Sequence, residues 1–245
     1  MRIGILQTGP VPGELVPKFG QYGDMFRRFL SGHGFNFRVY DVNATELPAA
    51  PDECDGWLIT GSKYGVYEHH PWIAPLENHI RAVHIARLPM AGVCFGHQII
   101  AQALGGRVRK FSGGWSVGRV EYDFADGRTV PLFSYHQDQV TELPEGAHAS
   151  ASSGFCRYAG FTIGHHITTL QPHPEFTPGY MTGLLEHRAK GVIPEDMRKA
   201  ALACVHEPVA GADMAARFAA FFKARTAAAD RTGHAGRAGG GAGLS

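Results

Sequence analysis

The sequence predicts an α/β fold, a doubly wound and mostly parallel sheet with antiparallel additions at its edge. Three observations predict it. Up to Gly106, short apolar runs alternate with helical patterns across short links, as in successive β–α–β units. Gly56-Trp57-Leu58-Ile59-Thr60 is apolar almost throughout, as an interior parallel strand buried on both faces must be. After Gly106 the period changes to short strands separated by turns, the pattern of antiparallel pairs.

Arg2 to Thr8 reads as the first strand, and Gly9-Pro10-Val11-Pro12-Gly13 cannot continue it. Tyr22 to Leu30 is helical by period, with Met25, Phe26, Phe29 and Leu30 on one face and Gly32 and Gly34 ending it. Phe35 to Val42 alternates as a second strand, and a proline-rich link, Leu47 to Pro51, leads to the third at Gly56. Pro71 to Leu88 is a helix with Ile73, Leu76, Ile80, Val83 and His84 inward. Met90 to Val93 is an apolar strand, broken by a sharp turn at Cys94, and a helix runs on through Leu104 to Gly105-Gly106.

Arg107 to Phe111, Val117 to Phe124, Val130 to Tyr135 and Ala147 to Ser153 follow as short strands, with turns such as Ala125-Asp126-Gly127. Ile167 to Leu170 is the last strand, and it ends in the turn Gln171-Pro172-His173-Pro174-Glu175-Phe176. Gly179 to Lys190, Pro194 to Val205 and Ala212 to Arg225 are helical by pattern. Met214, Phe218, Phe221 and Phe222 form a stripe on the last of these, suited to a core or a partner face. The expected organisation is one domain over 1–225, its C-terminal helices at about 179–225, and an Ala/Gly-rich tail over 226–245. That tail is too poor in apolar groups to order itself.

Composition bounds the function. A hydrophobic fraction of 44% suits one large α/β domain, and a formal net charge of +1 gives no electrostatic reason to bind nucleic acid or membrane. Four cysteines, Cys54, Cys94, Cys156 and Cys204, are scattered without a C-x-x-C pair. This argues against a zinc site and a disulfide framework and for a reducing compartment. The sequence starts directly in a strand and holds no apolar run near 18 residues, so neither a signal peptide nor a membrane span is expected and the location expected is cytoplasmic.

The chemistry concentrates at two turns. Gly92 and Gly96 flank Cys94 at two residues on either side, the spacing of a nucleophile elbow with cysteine in place of serine. A thiol there faces the N-terminus of the next helix, whose dipole and free N–H groups favour the thiolate. The alternative is a buried packing cysteine. At the second turn two prolines restrict the backbone around His173, and the carboxylate of Glu175 can reach the imidazole, as the orienting acid of a triad does. Cys54, Cys156 and Cys204 lack such surroundings and read as packing residues. Adjacent histidines on a strand point to opposite faces, so His69-His70 and His165-His166 do not chelate one metal; His165-His166 reads as a structural pair in an alternating strand. No metal is expected.

Gly92-Val93-Cys94-Phe95-Gly96-His97-Gln98 and Gln171-Pro172-His173-Pro174-Glu175-Phe176, in this order, resemble the motifs of the class I (triad) glutamine amidotransferases. The likeness spans roughly Met1 to Leu185 and is greatest to stand-alone members akin to the glutaminase domain of GMP synthase. It implies a flavodoxin-like sheet and a Cys94, His173, Glu175 triad without a cofactor. It also implies an oxyanion hole from the backbone N–H groups of Gly61 and Phe95. Ser62-Lys63 stands where the family often has a second glycine and a proline. Gln98 is implied to hold the substrate. Phe111 to Gly118, with Trp115, Ser116 and Val117, resembles a pocket-lining family segment, and Tyr135 to Val140 resembles a His-x-Asp loop. Asp138 there either binds the α-amino group or is scaffold.

The activity implied is hydrolysis or transfer of the γ-glutamyl amide of glutamine, or of a γ-glutamyl compound, through a cysteine thioester. The alternatives are an ammonia-supplying glutaminase subunit of a separate synthetase and a non-catalytic binding module. The chain has no P-loop and no room for the synthetase itself. Tyr64, Tyr67 and Trp72 offer aromatic surface near the expected mouth, either for a bulky leaving group or simply to pack the loop.

Overall fold

Residues 1–235 are described by a computed structural model, with side chains to Ala224. In chain order its strands are Arg2–Gln7 (β1), Asn36–Asp41 (β2), Gly56–Ile59 (β3), Met90–Val93 (β4), Arg107–Lys110 (β5), Ser116–Phe124 (β6), Thr129–His136 (β7), Asp138–Glu142 (β8), Ala147–Ser152 (β9), Gly160–Ile163 (β10) and Ile167–Leu170 (β11). Its helices are Val16–Phe19 (α1), Tyr22–Phe29 (α2), Ile73–Ile85 (α3), Phe95–Ala103 (α4), Pro178–His187 (α5), Glu195–Ala203 (α6) and Gly211–Ala235 (α7).

Alternation along the central strands sorts side chains onto two faces. Ile3 and Ile5 of β1, Leu58 of β3 and Val93 of β4 join one buried cluster with Phe26 of α2 and Met214, Phe218 and Phe222 of α7. Leu6, Trp57 and Ile59 join the other, beneath Leu76, Ile80 and Val83 of α3 and Ile99 and Ile100 of α4. Both faces of the sheet are therefore covered, which is why β3 and β4 are buried at every position. The nine-stranded sheet runs β2-β1-β3-β4-β11-β10-β9-β6-β7. From β2 to β11 neighbouring strands are parallel, and from β11 outward they are antiparallel. The expected doubly wound sheet with an antiparallel edge is the observed one.

The departures are local. Asp138–Glu142 forms β8, not a loop, because it pairs with β5 in a separate two-stranded sheet. Its polar sequence gives no apolar alternation to find it by. His165 and His166 lie in the turn between β10 and β11, not in a strand, since Gly164 at φ 52° reverses the chain there. His166 is nonetheless buried, with its Nε2 3.0 Å from Nδ1 of His84. The final helix continues past Arg225 to Ala235, through an alanine-rich stretch with strong helical propensity. The rest of the expected tail, 236–245, lies outside the described residues. Among those residues no helix is long and apolar enough to cross a membrane.

Candidate active site

Strands β3, β4 and β11 are neighbours running the same way, so the loops after their C-terminal ends converge. Val93 pairs with Leu170, which sets the segment beginning at Cys94 beside the turn that carries His173. This register brings together two motifs far apart in the chain.

Cys94 caps the N-terminus of α4 with φ 53° and ψ −103°, a conformation that a non-glycine residue holds only under constraint. The constraint is visible. The Cys94 N–H donates to the Leu170 carbonyl at 2.8 Å, and the Gly96 N–H donates to the Thr60 carbonyl at 3.1 Å. A Cβ on Gly96 would fall 2.2 Å from the Ile59 carbonyl oxygen, and one on Gly92 would fall 2.5 Å from the Gly96 carbonyl oxygen. The two glycines let α4 start hard against the sheet and turn the thiol outward.

His173 is anchored by its N–H, which donates to the Phe133 carbonyl at 2.8 Å, and its ring stacks on Phe176 at 3.9 Å. Its Nδ1 lies 2.7 Å from Oε1 of Glu175, whose side chain is fully buried. Burial alone would lower the imidazole pKa. The charges of Glu175 and Cys94, with hydrogen bonds to both, outweigh it and raise it to about 10. A Cβ on Gly61 would lie 3.0 Å from Cε1 of His173 and 3.8 Å from Cβ of Cys94, so the Gly61 backbone borders the triad. Phe95 is the first residue of α4, where an N–H has no acceptor within the helix. A thiol at a helix N-terminus beside a buried imidazole–carboxylate pair is suited to nucleophilic attack on a carbonyl.

Cys94 and His173 open onto a cleft of about 190 Å³ that Gln98, Trp115 and Asp138 also line. The Gln98 amide donates to Oε1 of Gln171 and to the Asp138 carbonyl, each at 3.0 Å, which fixes its orientation. The Asp138 carboxylate accepts from the Tyr67 hydroxyl at 3.0 and 3.1 Å. Burial raises its pKa against the lowering effects of Tyr67 and Lys110. Ser116 and Val117, expected at the pocket, do not line it. They lie in β6, opposite His136 and Tyr135 of β7, and the Ser116 hydroxyl accepts from Ser134 at 2.7 Å. Tyr64 and Tyr67 line the cleft as expected. Trp72 does not: it is 4% exposed and packs on Phe95 at 5.6 Å.

Tyr135 and His136, from the His-x-Asp segment, line the cleft too, and it also holds residues that no sequence motif marks: Tyr22 from α2, Lys110 from β5, and Arg188. Nδ1 of His136 faces the Asp138 carbonyl at 3.0 Å, and burial pulls its pKa down to about 4, so the ring is neutral at pH 7. Arg188 reaches the cleft only because α5 folds back over the triad turn, a fact with no local signature. Among the described residues no cluster of three or more His, Cys, Asp or Glu side chains could hold a metal ion.

Residues 16–189 match the family model described as glutamine amidotransferase class-I. Gamma-glutamyl peptidase 3 of Arabidopsis thaliana is 31% identical, over 66% of this chain and 72% of that protein. The glutamine-hydrolyzing GMP synthase subunit of Archaeoglobus fulgidus is 29% identical, over 58% of this chain and 76% of its own. The solved structure of a glutamine amido transferase from Methylobacillus flagellatus superposes with a TM-score of 0.73 at 20% identity, covering 92% of each chain, a likeness of fold.

Proposed function

Because the chain belongs to the class-I glutamine amidotransferase family, we propose that it hydrolyses or transfers the γ-glutamyl group of glutamine or of a γ-glutamyl compound through a Cys94 thioester. The observation that carries this reading is the buried His173–Glu175 pair, 2.7 Å apart, set beside a constrained cysteine at a helix N-terminus. The Cys94 thiolate attacks the side-chain amide carbon, and the N–H groups of Gly61 and Phe95 stabilise the negative charge on its oxygen. The His173 imidazolium gives its proton to the leaving nitrogen as the C–N bond breaks, leaving a γ-glutamyl thioester. Neutral His173 then takes a proton from water, or from an acceptor amine, which attacks the thioester and frees the thiolate. Glu175 keeps the ring oriented and stabilises its charged form.

Two features favour a self-contained γ-glutamyl hydrolase: Tyr64 and Tyr67 line the cleft from the chain's own loop, and a relative is a gamma-glutamyl peptidase. The purified chain is expected to show a higher kcat/KM for a γ-glutamyl peptide than for free glutamine. The likeness to a GMP synthase subunit favours a second reading, an ammonia-supplying subunit of a separate synthetase. Turnover that appears only after a synthetase is added would decide for that second reading.

A further inference from the structure

We propose that Arg188 is a specificity-determining residue that binds a carboxylate on the leaving group, so that the preferred substrates are γ-glutamyl peptides with a free carboxylate beyond the scissile bond. This rests on the γ-glutamyl reading above and narrows its substrate class.

His173 protonates the leaving nitrogen, so the leaving group must lie on the His173 side of the Cys94 sulfur. That side is built by packed rings: Phe176 stacks on His173 at 3.9 Å, Tyr180 stands edge-on to Phe176 at 4.6 Å and Tyr22 edge-on to Tyr180 at 6.4 Å, with Phe176 and Tyr22 lining the cleft. Arg188, at the C-terminus of α5, opens onto the same cleft, and its charge acts on Tyr22, Tyr180 and Tyr135. Tyr22 in turn feels the charges of both Cys94 and Glu175. The guanidinium therefore belongs to the wall along which the leaving group departs.

A γ-glutamyl head carries one ammonium and one carboxylate. Another wall of the cleft offers one partner for each: Asp138, held by Tyr67, and Lys110, which pairs with Asp138 across β5 and β8 and bears on its charge. Two further cations line the cleft: Lys63, whose ammonium sits over the Tyr64 ring at 5.0 Å in the loop after β3, and Arg188 at the end of α5. Among the described residues no carboxylate pairs with Arg188, and of the arginines without such a pair it is the one that lines the cleft. It is half-buried, and its backbone N–H donates to the Leu184 carbonyl at 2.9 Å, so its base is fixed. A partly desolvated guanidinium without an acid, in an open cleft, is matched by a carboxylate that takes two parallel N–H donors. The C-terminal carboxylate of a γ-glutamyl dipeptide supplies it.

The test uses the full chain and two substrates that differ only in that carboxylate, γ-glutamyltyrosine and γ-glutamyltyramide. The unaltered protein is expected to favour the peptide about 10-fold or more in kcat/KM, chiefly through KM, the scale of a charge-assisted pair. In Arg188→Met the peptide-to-tyramide ratio should fall to about one. Arg188→Lys keeps the charge but loses the fork, and should retain part of the preference. Equal kcat/KM for both substrates in the unaltered protein would overturn the role of Arg188 while leaving γ-glutamyl hydrolysis standing. So would a ratio that survives Arg188→Met, with both rates reduced together. Turnover of neither compound would overturn the self-contained γ-glutamyl peptidase reading on which this inference rests, and the inference with it.

Discussion

His173 and Glu175 form a buried pair whose ionisation is coupled to stability. The imidazole pKa is raised in the folded protein to about 10, against about 6.5 in an unfolded chain. The folded state therefore binds a proton that the unfolded state has lost, and this contribution is complete below about pH 6.5 and disappears as pH rises through about 10. Thermal melts should show stability falling over that window, with a flatter profile in Glu175→Gln, which lacks the charge that holds the proton. A wild-type profile as flat as that of Glu175→Gln would contradict the pairing. Cys94→Ala removes a small side chain at a 7% exposed position, so the variant should fold with a near-wild-type Tm. Its turnover should drop by at least about 10³-fold, as when a covalent nucleophile is removed. Residual kcat above a tenth of wild type would rule out the thioester.

At the scale of elements, the site depends on how closely α4 approaches the sheet. A methyl group on Gly96 would lie 2.2 Å from the Ile59 carbonyl oxygen of β3, and backbone cannot yield as a side-chain tip can. Gly96→Ala should cost about 1–3 kcal/mol or more from overpacking, a fall in Tm of several degrees for a domain of this size. It should also displace Cys94 and so reduce activity more than the melting shift alone would. A variant with normal Tm and normal kcat would show that the elbow is not held by this contact. On the other face, Phe222 of α7 is fully buried beside Phe35 at 6.0 Å. Phe222→Ala should cost about 3–5 kcal/mol without altering kcat in the folded fraction, because the residue lies in the cluster that joins α7 to the sheet, away from the cleft.

At the scale of the molecule, four thiols share one chain but not one environment. Burial raises the pKa of Cys54 and raises that of Cys156 to about 12, and both are enclosed. Cys204 is partly exposed, at the end of α6, with its sulfur toward the Ala200 carbonyl. A glutamine-like electrophile near neutral pH should therefore label Cys94 first, by peptide mass mapping. Faster labelling of Cys204 would show that exposure outweighs the helix N-terminus and His173.

The amino-acid order alone determined the strands of the parallel half, the helices that flank them, and the two turns that carry Cys94, His173 and Glu175. Each is a local pattern: apolar runs of strand length, a helical period, glycines two residues from a cysteine, prolines around a histidine. It also marked Gln98, Trp115 and Asp138, which line the cleft, and Ser116 and Val117, which lie in β6 outside that lining. Tertiary structure alone placed Arg188, Lys110 and Tyr22 in the cleft and Trp72 in the core. None of these has a sequence signature, because a side chain's neighbours across space depend on sheet order and on helices folding back. The polar strand β8 stayed unread for the same reason: its partner, β5, rather than its own periodicity, makes it a strand.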